Sequence, residues 1–194
     1  MLICLLPVAG VAGADLDAME RFVGDYFACE TRRLPVLETP AGAHEPKRDQ
    51  YDATAIMRAA LPLCPPEATR LLVVTEHDIF IPMLTFIFGQ AQVNGPAAVL
   101  SLARLHQGFH GLPEQRELFV ERVLKEVLHE LGHTFGLVHC ADRRCAMSLS
   151  INVTNIDVKC GELCAACATN LDGRLRALRA ETIAGDGGPT GSGS

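Results

Sequence analysis

Tryptophan is absent from this 194-residue chain and tyrosine occurs only twice. Aromatic platforms on which nucleic-acid bases could stack are therefore scarce. Positive charge is also short. The 17 Lys and Arg residues face 23 Asp and Glu, for a net charge of −6, and no basic cluster could neutralise a run of phosphates. A nucleic-acid partner is excluded on both counts. No stretch is long and apolar enough to span a bilayer, so no membrane segment is expected. Residues 1–14 could be taken for a secretory signal, but they lack the Lys or Arg that such a signal carries before its apolar stretch, and the segment reads as a buried first strand instead. Internal repeats are missing too.

What is present suits one domain with a sizeable core. Residues 2–8 are apolar on both faces, as in a strand inside a covered sheet. Residues 15–29 place Leu16, Met19, Phe22, Val23 and Phe27 at helical spacing. A second strand is expected at 31–37, then a loop at 38–50, which together suggest a βαβ opening. A helix follows at 51–61, stopped by Pro62, Pro65 and Pro66. Residues 71–75 read as a central strand, and 85–88 and 97–105 as two more, separated by a turn containing Asn94-Gly95-Pro96. His77 and Asp78 read as solvated loop residues rather than ligands. Past a flexible segment at 106–112, Pro113 suits the first turn of a long helix. Phe119, Val120, Val123, Leu124, Val127, Leu128 and Leu131 form its buried stripe. A C-terminal helix loosened near Gly173 is compatible with residues from Glu162 to Leu178. Residues 1–183 are expected to form a single catalytic domain, with an N-terminal part at 1–136, a C-terminal part at 137–183, and a disordered tail at 184–194.

The long helix leads into His129-Glu130-Leu131-Gly132-His133-Thr134-Phe135-Gly136-Leu137-Val138-His139-Cys140. His129 and His133 lie one helical turn apart, so both imidazoles can reach one metal ion. Glu130 projects about 100° further round the axis, beside the metal rather than on it, where its carboxylate could take a proton from a metal-bound water. Gly136 suits the left-handed turn that ends a helix and lets His139 supply a third nitrogen. Three protein ligands leave a tetrahedral ion one open position, which is the arrangement of a catalytic zinc.

Of the eight cysteines, Cys140, Cys145, Cys160, Cys164 and Cys167 crowd into one region. Short spacings and a CxxC pair favour metal over disulfides, and with that a reducing cytoplasm. Cys140, Cys145, Cys164 and Cys167 could close a second, structural site with no free position. Cys160 competes for a place in it, its spacing to Cys164 being one residue longer than CxxC.

The three histidines, Glu130, the later Cys145-Ala146-Met147 and Cys164-x-x-Cys167 resemble the archaemetzincins, zinc peptidases of the metzincin clan. Three shorter phrases, at 47–51, 75–80 and 86–91, are similar to segments of the same family. The resemblance implies an α+β fold, α/β-like in its N-terminal part, with a twisted mixed sheet, an active-site helix and a small zinc-bound C-terminal part. It implies His129, His133 and His139 on a catalytic zinc, Glu130 as general base, and Met147 as the methionine beneath the metal. It further implies a second zinc on Cys140, Cys145, Cys164 and Cys167. The tyrosine that some other metzincins carry just after this methionine is missing. The expected activity is hydrolysis of a peptide or protein substrate, with the strand at 97–102 as the edge that pairs with it. The rival reading is a zinc-stabilised binding or scaffold protein with an inactive three-histidine site. The oligomeric state is not legible.

Overall fold

Six consecutive apolar residues form β1 (Leu2–Pro7), and all six are buried. A strand with no polar face has to be covered on both sides. The computed structural model, which describes residues 1–185, covers it with helices. Ile3 and Leu5 face α1 (Gly13–Phe27), in a core cluster with Leu16, Met19, Val23 and Phe27. Leu2, Cys4 and Leu6 face the other way, in a second cluster with Ile56, Met57 and Ala60.

The chain continues through β2 (Glu30–Arg33), β3 (His44–Glu45), β4 (Gln50–Asp52), α2 (Ala53–Ala60) and β5 (Arg70–Thr75). Then come β6 (Ile79–Phe80), β7 (Gly89–Ala91), β8 (Ala97–Ser101), α3 (Arg116–Thr134), α4 (Val153–Val158) and α5 (Ala165–Gly185). The main sheet has the order β2-β1-β5-β8-β7. Its first four members run parallel and β7 lies antiparallel at the edge. A small second sheet has the order β3-β4-β6. The fold is thus mixed α and β with mixed sheets, as expected.

Several boundaries differ from expectation, each for a local reason. The helix expected from residue 51 starts at Ala53, because the Asp52 carboxylate accepts from the backbone N–H groups of Thr54 and Ala55 and caps it. The strand expected at 85–88 is mostly loop, with a single bridge from Ile87 to Ile79, and the edge strand proper begins at Gly89. The strand expected at 97–105 stops at Ser101, and Ala103–Leu105 coils into a short 3-10 turn. The long helix starts at Arg116 rather than Pro113. The C-terminal helix begins at Ala165 and runs unbroken through Gly173 to Gly185. The tail expected from residue 184 therefore begins inside α5, and residues 186–194 lie outside the described part.

One correction bears on substrate. The strand at 97–102 is not an edge: β8 lies between β5 and β7. The edge is β7. Its Phe88 carbonyl and Gln92 N–H are engaged by Ser101 and Ala97 across the ladder. Alternation then turns the N–H and C=O groups of Gly89 and Ala91 to the open side.

Candidate active site

Every residue of α3 from Lys125 to Thr134 is buried. The apolar stripe faces the sheet, although Leu124, expected within it, is only half-buried. On another face three charged residues are buried instead. Arg122 forms a two-pronged pair with Asp157 at 2.7 and 2.8 Å. Lys125 Nζ lies 2.6 Å from Glu121 Oε1. Glu126 Oε1 accepts from Lys159 Nζ at 2.7 Å with both side chains almost wholly out of water. The Arg122–Asp157 and Glu126–Lys159 pairs fasten the segment around α4 to the helix that carries the motif.

At its end α3 closes with paired bonds, Gly136 N–H to His133 O and Leu137 N–H to Gly132 O, while Gly136 takes φ of +86°. That geometry favours glycine and reverses the chain. The returning Leu137 carbonyl accepts from His133 Nδ1 at 2.8 Å. The Ala146 carbonyl accepts from His129 Nδ1, also at 2.8 Å. A carbonyl cannot donate, so both protons sit on Nδ1 and both Nε2 atoms carry lone pairs. Those Nε2 atoms lie 3.1 Å apart. Two lone pairs face to face call for a cation between them, and tetrahedral zinc with bonds near 2.05 Å spaces its nitrogens by about 3.3 Å.

His139 completes the group, each histidine offering one ring nitrogen within 4.8 Å of the others. Burial lowers the pKa of all three rings, that of His129 furthest, and the charge of Lys159 adds to the effect. The neutral ring is the form that binds metal.

Glu130 is buried beside this group. Burial, and then the neighbouring Glu126, push its pKa well above the usual carboxylate value. Its carboxyl lies against bare backbone: a Cβ at Gly89 of β7 would stand 2.5 Å from both Cδ and Oε1 of Glu130. Met147 packs under the helix in the same manner, its Sδ only 2.5 Å from where a Cβ of Gly132 would be.

Cys140, Cys145, Cys164 and Cys167 form a second group with sulfurs mutually within 4.8 Å. The Cys140 and Cys164 sulfurs are 3.8 Å apart. Tetrahedral zinc with Zn–S bonds of about 2.3 Å sets this edge at about 3.8 Å. The backbone N–H of Cys167 beside its sulfur brings the Cys164 pKa down to about 7, while burial raises those of Cys145 and Cys167. Cys160 stands outside the group; its exposed sulfur takes a hydrogen bond from Arg144 Nε at 3.1 Å.

A cleft of about 470 Å³ opens onto the histidines and Glu130. Its walls are mostly apolar, with Ile81, Leu84, Phe86, Val93, Leu149 and Ile151 among them. Ser150 also lines it, and the Ser150 hydroxyl is the one buried side-chain polar atom without a hydrogen-bond partner among the described residues. No sequence signal marked Ser150. Gly89 lay unremarked within a family-like phrase.

Among the described residues His77 and Asp78 join no candidate metal group, and both are half-buried and engaged rather than freely solvated. Asp78 holds Arg104 by both oxygens at 2.7 and 2.8 Å and accepts from Gln50. The His77 ring stacks on Tyr51 at 3.8 Å and bonds Thr39. Arg104 in turn lies over the Phe86 ring at the cleft wall, at 3.8 Å. Through Arg104, Asp78 supports the cleft from behind.

A buried helix that aims two imidazoles at one point, a third imidazole after its terminal turn, and a carboxylate alongside define a metal-dependent hydrolase. The model of Peptidase family M54 matches residues 67–173. The archaemetzincin of Methanocaldococcus jannaschii is 37% identical over 175 residues, 90% of this chain and 94% of that protein. The crystal structure of archaemetzincin from Methanopyrus kandleri is similar with a TM-score of 0.78 at 37% identity, over 91% of this chain and 96% of that one. That of archaemetzincin from Archaeoglobus fulgidus, complexed with malonate, is similar at 0.77 and 33% identity, over 88% and 99%. The chain belongs to the archaemetzincins, peptidase family M54, and is a zinc-dependent peptidase.

Proposed function

We propose that His129, His133 and His139 hold a catalytic zinc, that Cys140, Cys145, Cys164 and Cys167 hold a structural one, and that Glu130 is the general base. The observation that carries this reading is the pair of Nε2 lone pairs facing each other at 3.1 Å on the helix that presents Glu130. Bound zinc supplies a Lewis acid and an acidified water at its open position. The chain's own part is to move the proton. Glu130, offset from the ligands by about 100° of helix, takes the proton on a carboxylate oxygen and delivers it to the leaving amine. The burial that raises its pKa makes the protonated form accessible in between.

The open N–H and C=O groups of Gly89 and Ala91 are suited to an extended peptide that adds to β7. The apolar cleft favours a large apolar side chain next to the scissile bond, and the Ser150 hydroxyl is free to accept or donate to the substrate. The division at residue 136 follows the motif helix from the cysteine-rich part. A cytoplasmic location is supported by eight cysteines of which none is paired in a disulfide.

Metal analysis with peptide-library cleavage on wild type and Glu130→Gln tests the reading. Two zinc ions per chain in both proteins, with cleavage only in the wild type, is the expected result. Undiminished turnover in Glu130→Gln removes Glu130 as the base. A single cysteine-bound zinc with no cleavage would point to a binding protein.

A further inference from the structure

Glycine in a strand is a cost: it has no side chain to pack and loses more backbone freedom on folding than any other residue. Gly89 pays no rent through its backbone angles, because its φ is not in the left-handed region where glycine is favoured. An alanine would fit the local conformation and would suit the strand better. What stands in its way is one side chain. A Cβ at this position would lie 2.5 Å from Cδ, 2.5 Å from Oε1 and 2.7 Å from Cγ of Glu130. These three atoms are the nearest neighbours, and all belong to the same residue. Real Cβ atoms do not approach so closely, so Glu130 would have to move.

Glu130 lines the cleft, so its carboxylate can give way only by swinging off the position it now holds. It is 4% exposed on a helix whose surrounding residues are all buried, and the floor of that helix is tied to Lys159 through Glu126. From this we infer that Gly89 is a positioning residue for the reaction: its missing side chain makes the seat in which the Glu130 carboxylate is held. The same strand turns its free peptide groups outward for the substrate. β7 thus sets the carboxylate on one side and the peptide on another, and one rigid element fixes the distance between base and scissile bond. The inference rests on the proposed role of Glu130, but the packing stands independently of it.

The test is a double-mutant cycle of Gly89→Ala and Glu130→Asp, because aspartate is one methylene shorter and vacates the space that the alanine methyl needs. Zinc-loaded proteins are compared for kcat and KM on a peptide that the wild type cleaves, with metal content measured on each. Zinc-free proteins are compared for thermal midpoint. In the wild-type background Gly89→Ala should keep both zinc ions and lower kcat by about 100-fold, the order expected of a 1 Å misplacement. KM should stay within about threefold, since the loss falls on the transition state. The zinc-free midpoint should fall by about 3–6 °C, as for a buried clash in a chain of this size. In the Glu130→Asp background, which is itself slower, the same alanine should change kcat by less than about threefold and the midpoint by under about 2 °C, the coupling expected of touching residues. Full kcat in Gly89→Ala, or equal losses in both backgrounds, overturns the inference. Absence of cleavage by the wild type would refute the peptidase role of Glu130, and the zinc-free midpoints would still decide whether Gly89 seats it.

Discussion

The Ala146 carbonyl accepts a hydrogen bond from His129 Nδ1 at 2.8 Å, and the residue before Ala146 is Cys145. One short segment therefore serves both candidate metal centres. Cys145 offers its sulfur to one, Ala146 fixes the ring orientation of a ligand of the other, and Met147 packs beneath the helix between them. The segment is held from its far side as well: Cys140 N–H donates to the Met147 carbonyl at 2.9 Å and Ala146 N–H to the Glu162 carbonyl at 2.8 Å. Removing a thiolate from the cysteine group should thus be felt by the histidines. Cys164→Ser is expected to lower thermal stability and to weaken zinc binding at the histidine site by about 10- to 100-fold, the usual effect of disturbing a ligand's supporting hydrogen bond. Titration of the zinc-free protein with a chelator-buffered zinc series measures it. An unchanged histidine-site affinity would show the centres to be independent.

Glu126 and Lys159 are each 2% exposed and lie 2.7 Å apart. Desolvating both charges costs nearly as much as their attraction returns, so the pair adds little net stability, yet losing one partner strands the other. Lys159→Met is expected to destabilise the fold by about 3–5 kcal/mol, while Glu126→Leu with Lys159→Met should recover most of that loss. Denaturant unfolding of the zinc-loaded proteins gives both numbers. Additive losses in the double variant would mean that the two residues do not act as a pair.

These charges also mark where the sequence stops being readable. β1 announced itself because six apolar residues in a row fit only a covered strand, and α1 because its apolar residues recur at helical spacing. The histidine motif was legible because ligand spacing on a helix is fixed by the helix itself. Nothing in the sequence marks Arg122, Lys125 and Glu126 as buried, since nothing local shows that Asp157 and Lys159 will come to meet them from more than thirty residues away. The edge strand was misplaced for a similar reason. Gly89-Gln90-Ala91 has neither apolar alternation nor β-branched residues, whereas Ala97–Ser101 has the stronger pattern because it is an inner strand, buried on both faces. The strands of the small sheet, two or three residues each, are too short to carry any periodicity.

Gly132→Ala separates two opposing effects by sign. In an exposed helix this change stabilises by about 1 kcal/mol through propensity alone. Here the new methyl meets Met147 Sδ at 2.5 Å and Cε at 3.3 Å, and Met147 is fully buried. Overpacking of this kind costs about 1–3 kcal/mol, so net destabilisation is expected, with weaker zinc retention at the histidines. A raised melting temperature would mean that Met147 yields without strain.

Ser150 offers the reverse case. Its hydroxyl is buried without a partner, so Ser150→Ala breaks no bond within the protein and relieves an unmet desolvation cost of about 1 kcal/mol or more. Stability should hold or rise slightly. If the hydroxyl meets the substrate, KM for peptides should rise while zinc content stays constant. A clear fall in stability would reveal a partner within the fold.

The raised pKa of Glu130 makes the stability of the zinc-free protein depend on pH in a definite direction. Burial and Glu126 keep the proton on folded Glu130 at pH values where the unfolded chain has released it. Between the ordinary carboxylate value and the raised one, the folded state binds more protons, and stability falls as pH climbs through that window. The histidines act oppositely: their folded pKa values lie below 6.5, so acidification below that point favours the unfolded chain. Glu130→Gln deletes the first effect and leaves the second. With chelator present, the two proteins should therefore melt together near pH 4, where Glu130 is protonated in both states. The Gln variant should pull ahead as pH rises towards 8. A gap that does not change with pH, or a wild type that is the more stable at pH 8, would contradict a carboxyl seated in the dry space between Gly89 and Glu126.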